Sequence, residues 1–337
     1  MLSLANQEML KILFQHADEV RREFCGDKVY LRGIIEFSNY CRRNCLYCGL
    51  RREHFQLTRY RMHEDEIVKT ALEIADLGVG TVVLQSGEDP YFTAEVVERI
   101  IFRIKQKADV AITLSLGERP FDELQRWHLA GADRYLLKHE TINPELYARM
   151  HPDMKYEERL NCLKALRTIG YQIGAGNIIG LPGQTIEDIA DDILFLKKID
   201  ADMVGIGPFI PNVNTPLGKY PGGDVLMTLK TVAVARIVLR DTHIPATTAL
   251  GSIDEWGREK ALKCGANVLM PNFTPARYRR LYEIYPNKRC VDDMPKHCFN
   301  CIQARIKALG REVGLGKGHS LKKRFVALQN SVDALVS

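Results

Sequence analysis

Apolar residues recur at three- and four-residue steps near the start of the chain (Met9, Leu10, Leu13, Phe14, Ala17, Val20 and Phe24), the one-sided stripe of an amphipathic helix. This helix is expected to pack against the main domain and close one end of it, with Cys25 as a small buried apolar residue at its end. Beyond it, short β-branched runs alternate with helical patterns. Strands are predicted at Val29–Phe37, Thr81–Leu84, Val110–Leu114, Arg134–Leu137, Gln172–Ala175, Met203–Ile206, Ile244–Ala246 and Asn267–Leu269. Helices are predicted at Glu64–Leu77, Ala94–Lys107, Phe121–Ala130, Tyr156–Ile169, Ile186–Lys198, Leu226–Arg240 and Asp254–Cys264. Gly78, Gly131, Gly170 and Gly265 follow four of them, the position just past a helix C-terminus that favours glycine. Eight strand–helix units in about 250 residues predict an α/β fold, a TIM-type (βα)8 barrel. A doubly wound parallel sheet has the same alternation, because periodicity does not report closure. The expected organisation is a packing helix over residues 1–27, a barrel over 28–275 and a C-terminal extension over 276–337.

In a barrel, active-site groups lie at the C-terminal ends of the strands. Taken in order, those ends carry a cysteine loop after Ser38, Ser86-Gly87-Glu88-Asp89, Ser115 with Glu118, and His139-Glu140. The later four carry Asn177 with Gly180-Leu181-Pro182-Gly183, Pro208-Phe209, Thr247-Thr248, and Met270-Pro271-Asn272. Taken singly, each reads as turn chemistry; their shared placement makes them candidates for one site.

Composition narrows the class. A hydrophobic fraction of 46% with 26% charged residues is ordinary for a soluble globular protein. No run of about 18 apolar residues predicts a membrane span, and the charged N-terminus lacks the apolar core of a signal peptide. Nine cysteines without a secretory signal point to a reducing, cytoplasmic setting and to metal binding rather than disulfides. The net charge of +5 is mild. Arg42, Arg43, Arg51 and Arg52 surround the cysteine loop, and Lys317 to Arg324 form a basic stretch near the end, but neither has the interleaved aromatics of a nucleic-acid face. The tail charges are expected on a solvated helix surface. The loop arginines would offset the charge of a metal centre or receive an acidic electron donor.

The chemistry concentrates at Cys41, Cys45 and Cys48, spaced C-x3-C-x2-C. Thiolates are soft ligands that select iron–sulfur clusters, zinc or copper. Cluster and structural zinc sites ordinarily take four protein ligands, so three leave one position open for chemistry; the alternative is half of a zinc site completed by another Cys or His. A second triad, Cys290-x7-Cys298-x2-Cys301, reads as an accessory iron–sulfur cluster (2Fe-2S or 4Fe-4S), with His297 or solvent to complete it. Cys162 and Cys264 fall inside helical patterns as buried, inert thiols. His54, His63, His128, His151 and His243 have no partner at ligand spacing and read as surface or loop residues; His139 stands apart only through its neighbour Glu140.

The first triad resembles the signature of radical S-adenosylmethionine (SAM) enzymes. The resemblance implies a 4Fe-4S cluster on Cys41, Cys45 and Cys48, with SAM on the fourth iron and Tyr47 beside the adenine. Ser86-Gly87-Glu88 resembles the family's Gly-Gly-Glu motif for the methionyl amino group, with Ser in place of the first Gly. By the same resemblance Glu140, with Ser115 nearby, faces the ribose, and Arg159 takes the methionyl carboxylate, unless it serves a surface ion pair with Glu157 or Glu158. Gly176 to Gly180 resembles the segment lining the adenine pocket. Finer matches run from about residue 28 to 310: Ile34 to Cys41, Val83 to Tyr91, Tyr135 to Thr141, Gly180 to Thr185, Met203 to Pro211 and Ile244 to Ala249 are similar to the HydE family of FeFe-hydrogenase maturases, as is the second triad.

That resemblance implies a closed internal cavity in which a 5′-deoxyadenosyl radical meets a small sulfur- or iron-bearing substrate on the route to the hydrogenase H-cluster. Arg134, Met203, Thr247, Thr248, Met270, Tyr282 and Tyr285 are the candidates to line it. It also implies a small-molecule or organometallic substrate, an electron donor such as a flavodoxin or ferredoxin, and other hydrogenase maturases as partners, with no nucleic acid and no membrane. The rival readings are a radical SAM mutase such as methylornithine synthase, and a non-enzymatic zinc or nucleic-acid-binding protein.

Overall fold

A computed structural model describes residues 1–289 and 295–325. Its strands are β1 (Lys28–Leu31), β2 (Gly33–Ser38), β3 (Thr81–Ser86), β4 (Ala111–Ser115), β5 (Arg134–Leu136), β6 (Gln172–Ile179), β7 (Met203–Pro208), β8 (Val268–Leu269) and β9 (Glu312–Gly314). β2 to β7 pair in sequence order, every pair parallel. Closure runs through an irregular segment: Met203 bridges His243, Pro245 bridges Val268, and β8 pairs with β1 at Tyr30↔Val268 and Leu31↔Leu269. The ring is therefore closed as a TIM-type barrel, the point that periodicity left open.

The predicted first strand is two strands broken at Arg32, because its lower part pairs β8 and β9 while its upper part pairs β3. Ile244–Ala246 completes the ring through single bridges and main-chain bonds rather than as a regular strand. The helix expected over Asp254–Cys264 is Gly257–Lys263, preceded by a short helix, Thr248–Ile253. Helices at Pro144–Met150 and Pro295–Ala308, and β9 itself, have no counterpart in the sequence pattern.

The strands bury both faces, as parallel barrel strands do: β6 is buried at all eight positions, QIGAGNII. The outer helices are amphipathic and capped. Thr185 and Asp188 form a reciprocal capping box at the start of Ile186–Lys198, satisfying two otherwise orphaned N–H groups. Val225–Leu239 is apolar all round because it is covered twice, by the barrel inside and by the N-terminal helix Gln7–Cys25 outside. The N-terminal helix thus lies in the outer layer, against Val225–Leu239 and Gly257–Lys263, and does not close an end as expected.

The end away from the strand C-termini is closed by the C-terminal segment. β9 runs parallel to β1, and Gly80 N–H donates to Leu315 O. Three successive carbonyls then accept from the barrel floor: Lys317 O from Thr81 Oγ1 (2.8 Å) and Arg134 Nη2 (2.6 Å), Gly318 O from Arg32 Nη2 (3.2 Å), and His319 O from His243 Nε2 (3.0 Å). Ser320 and Lys322 are buried here. The basic tail is thus, as far as residue 325, a floor rather than a solvated helix surface. No helix among the described residues is long and apolar enough to cross a membrane.

Candidate active site at the thiol loop

At the other end of the barrel lies a cavity of about 420 Å³, in the range of small-ligand sites. Cys41, Cys45 and Cys48 line it, together with Tyr47, Ser86, Gly87, Glu88, Ser115, Glu140 and Arg159. The loop that carries the thiols is pinned by main-chain bonds. Arg42 N–H donates to Glu88 O (2.9 Å), Leu46 N–H to Met150 O (3.0 Å) and Gly49 N–H to Ile284 O (2.8 Å). Arg59 ties the same loop from beneath, donating to the carbonyls of Leu50 (2.9 Å) and Arg51 (2.7 Å).

Burial raises all three thiols above the ordinary cysteine value, Cys48 to about 12; Cys48 and Cys41 raise Cys45 further, and Cys41 raises Cys48. Such groups become thiolates when a cation replaces the proton. Three soft thiolates on one loop, all lining one cavity, suit a 4Fe-4S cluster in which each binds one iron and the fourth is left open.

Around the thiols the charges form one buried network. Glu88 accepts from Arg43 Nε at 2.5 Å, Arg42 Nε at 3.1 Å and Glu118 N–H at 2.9 Å. Glu118 accepts in turn from Arg43 Nη2 at 2.9 Å and Arg159 Nε at 2.6 Å. Arg159 is thus not paired with Glu157 or Glu158; it points inward, also donates to Lys138 O, and meets only the Met154 thioether, 4.0 Å away, at Nη2. Burial opposes its charge, but the surrounding Tyr147, Glu118 and Glu140 hold its pKa above the ordinary arginine value.

Glu140 adopts φ 66°, an uncommon left-handed conformation for a non-glycine residue. It is over-determined by its neighbours: Glu140 N–H donates to Gly176 O (3.0 Å) and Ile178 N–H to Glu140 O (3.0 Å). Burial pushes its carboxyl up, yet Lys138, 2.9 Å away, with Arg159 and His151 holds it below the usual carboxylate range. Behind it Asp192 accepts from Ile142 N–H and Asn177 Nδ2, with His139 3.2 Å away. His139 thus faces that buried carboxylate.

Met203, Thr247, Thr248, Met270, Tyr282 and Tyr285 line the same cavity; Arg134 does not. It sits at the start of β5, on the floor, bonded to Gln172, Thr81 and Lys317 O. Cys298 is buried against the cavity and Cys301 is exposed, both on Pro295–Ala308; Cys290 lies outside the described residues. Cys25, Cys162 and Cys264 are buried as expected. Asn272, expected at the end of the eighth strand, donates to Glu36 at 2.8 Å, but other cavity groups went unread in the sequence: Glu36 itself, Lys288 paired with it, and Arg258. Glu36 had a signal, a lone charge inside an apolar strand. The others sit in loops or at a helix start and had none.

Three histidines read as surface or loop residues, His54, His151 and His243, are buried, the first two within loops. His151 stacks on Tyr147 with ring centroids 4.2 Å apart and meets the Tyr47 hydroxyl at 2.9 Å. Burial first, and Arg159 next, lower its pKa from 6.5 to about 4. Its folded value lies below the unfolded one, so its stabilisation is complete above pH 6.5 and lost as pH falls toward 4. By the size of that shift it is worth roughly 3 kcal/mol. The urea midpoint of cluster-free protein should therefore fall less over this range in His151→Phe than in wild type; equal slopes would contradict it.

The Radical SAM superfamily model matches residues 35–196. The chain is 54% identical over 313 residues to the [FeFe] hydrogenase maturase subunit HydE of Thermotoga maritima, spanning 93% of this chain and 90% of that one. It is 31% identical over 272 residues to 3-methylornithine synthase of Methanosarcina acetivorans, spanning 80% and 76% of the two chains. A crystal structure of methylornithine synthase superposes with a TM-score of 0.81 at 26% identity, covering 93% of this chain and 91% of that one. The fold and these relatives define a radical SAM enzyme. The chain belongs to that superfamily and, within it, to the HydE family.

Removing either proposed SAM contact should weaken SAM binding without emptying the cluster. Glu140→Ala and Arg159→Ala are each expected to cost about 1.5–3 kcal/mol, the worth of a charge-assisted hydrogen bond. Calorimetric titration returning wild-type affinity in both would contradict the assignment.

Proposed function

We propose that this protein cleaves SAM reductively and directs the product at a small sulfur- or iron-bearing substrate, in assembly of the FeFe-hydrogenase H-cluster. The observation that carries this reading is the 54% identity, over nine-tenths of both chains, to the Thermotoga maritima HydE maturase. When bound, the cluster supplies one electron that divides SAM into methionine and a 5′-deoxyadenosyl radical. The chain's own residues bind, orient and shield. The open Nη2 edge of Arg159 presents donors to a carboxylate. Both Glu88 oxygens are already engaged, which leaves the main chain of Ser86–Gly87 as the part of that motif available to an ammonium group. Glu140, held ionised, can accept from ribose hydroxyls, with Ser115 at the end of the adjacent strand β4. Tyr47, inside the thiol loop, and Ile178 supply apolar surface for an adenine ring. Leu136, Met203, Phe209 and Met270 make much of the remaining wall apolar, which keeps water from a reactive carbon centre.

A carbon-skeleton mutase acting on a diamino acid would need free carboxylates for its substrate's ammonium groups. Here Glu36 is taken by Lys288 and Asn272, and Glu140 is assigned to the ribose. The partners that follow are a one-electron donor such as a flavodoxin or ferredoxin and the companion maturases, in the cytoplasm; Cys290, Cys298 and Cys301 are the ligands for a second cluster. Reduced protein with SAM should form 5′-deoxyadenosine, or an adenosylated product, faster with thioether compounds or an iron–cysteine precursor than with peptides. Faster consumption by a polypeptide, with label recovered in it, would overturn the small-substrate reading.

A further inference from the structure

The short helix Pro144–Met150 ends against the thiol loop, and the residues there hold that loop at three points. Leu46 N–H donates to Met150 O (3.0 Å), Asn44 N–H donates to Asp153 Oδ1 (3.2 Å), and the Tyr47 hydroxyl meets His151 Nε2 (2.9 Å). The direction of the third contact is fixed by the far side of the imidazole. His151 Nδ1 stands 2.9 Å from Tyr147 O, which also accepts the His151 main-chain N–H at 3.0 Å. A carbonyl only accepts, so Nδ1 carries the hydrogen of the neutral ring and Nε2 keeps its lone pair. Burial keeps that ring neutral, its pKa lowered to about 4. The Tyr47 hydroxyl is therefore the donor. The imidazole has little freedom to turn: it stacks on Tyr147 at 4.2 Å and meets the Tyr47 ring edge-on at 5.4 Å.

His151 is not itself among the residues that line the cavity; Tyr47 and Glu140 are, and the Glu140 carboxylate lies within electrostatic reach of His151. A buried hydroxyl that loses its acceptor costs about 1–3 kcal/mol, which drives it toward any other acceptor it can reach. A carboxylate on the same wall is the strongest kind available. Glu140 already faces Lys138 at 2.9 Å, so a second donor from the protein would compete directly with the ribose hydroxyls. We propose that His151 is a positioning residue: by accepting from the Tyr47 hydroxyl it keeps that hydroxyl off the Glu140 carboxylate, holds the Tyr47 ring still as a wall for the adenine, and leaves Glu140 to the ribose. This rests on reading Glu140 as the ribose contact.

The test is calorimetric titration of SAM into anaerobically reconstituted wild type, His151→Phe, Tyr47→Phe, the double variant Tyr47→Phe/His151→Phe, and His151→Gln. Visible cluster absorbance reports that each is folded and loaded; where His151→Phe does not load, His151→Leu takes its place. His151→Phe should weaken SAM binding about tenfold, roughly 1.4 kcal/mol. Removing the hydroxyl should relieve that loss, so the double variant should bind SAM as tightly as Tyr47→Phe alone. His151→Gln, whose amide oxygen can accept from the hydroxyl, should recover part of the affinity that His151→Phe loses. A purely structural role gives the same loss with and without the hydroxyl; that result, or unchanged affinity in His151→Phe, would overturn the proposal. Glu140→Ala, titrated alongside, separates the two readings. Relief of the loss by Tyr47→Phe, with wild-type affinity in Glu140→Ala, would contradict the ribose assignment and support His151 as the residue that positions Tyr47. Independent losses at Tyr47 and His151, with weakened binding in Glu140→Ala, would keep the ribose assignment and overturn the role of His151.

Discussion

Serine in place of Cys41, Cys45 or Cys48 will abolish SAM cleavage, while Cys301→Ser will leave it largely intact. The three loop thiols line the cavity beside Glu88 and Arg159, whereas Cys301 is exposed on Pro295–Ala308. A serine hydroxyl is a harder ligand and stays protonated at neutral pH, so each loop variant should lose iron as well as activity. Iron content and 5′-deoxyadenosine formation after anaerobic reconstitution measure both. Full activity in any loop variant, or its loss in folded Cys301→Ser, would show that the roles of the two thiol groups have been wrongly divided.

A second large effect is expected from a position that touches no ligand. Gly176 in β6 has φ 153°, and a Cβ there would sit 2.1 Å from Gly205 O in the neighbouring strand. The contact is backbone, so nothing can swing aside. Gly176→Ala should therefore lower stability by roughly 3 kcal/mol or more, combining backbone strain with overpacking. The same carbonyl that receives Glu140 N–H belongs to Gly176, so SAM affinity should fall with stability. Thermal unfolding and SAM titration read the two; a variant as stable as wild type would mean β6 and β7 separate more easily than their pairing implies.

Much of this was legible in the chain. The alternation of apolar strands with capped, amphipathic helices gave the repeating unit, and the residues after each strand gave most of the cavity wall. What did not show was anything mediated by main chain. The tail reads as a polar run, yet Lys317, Gly318 and His319 close the floor through their carbonyls. Closure of the ring likewise depends on Ile244–Ala246, whose bonds are too irregular to make a regular strand. Arg134 carried a usable signal: it opens its strand, and the start of a parallel barrel strand lies at the end away from the active site. His151 and His243 carried none, because a single histidine says nothing about what covers it.

The central claim is most directly tested by hydrogenase maturation. The measurement is hydrogen evolution from apo FeFe-hydrogenase incubated with the other maturases, SAM, an electron source and this protein as the sole HydE component. Activity that depends on this protein and disappears with Cys41→Ser is the predicted result. Efficient SAM cleavage without any hydrogenase activation would contradict it.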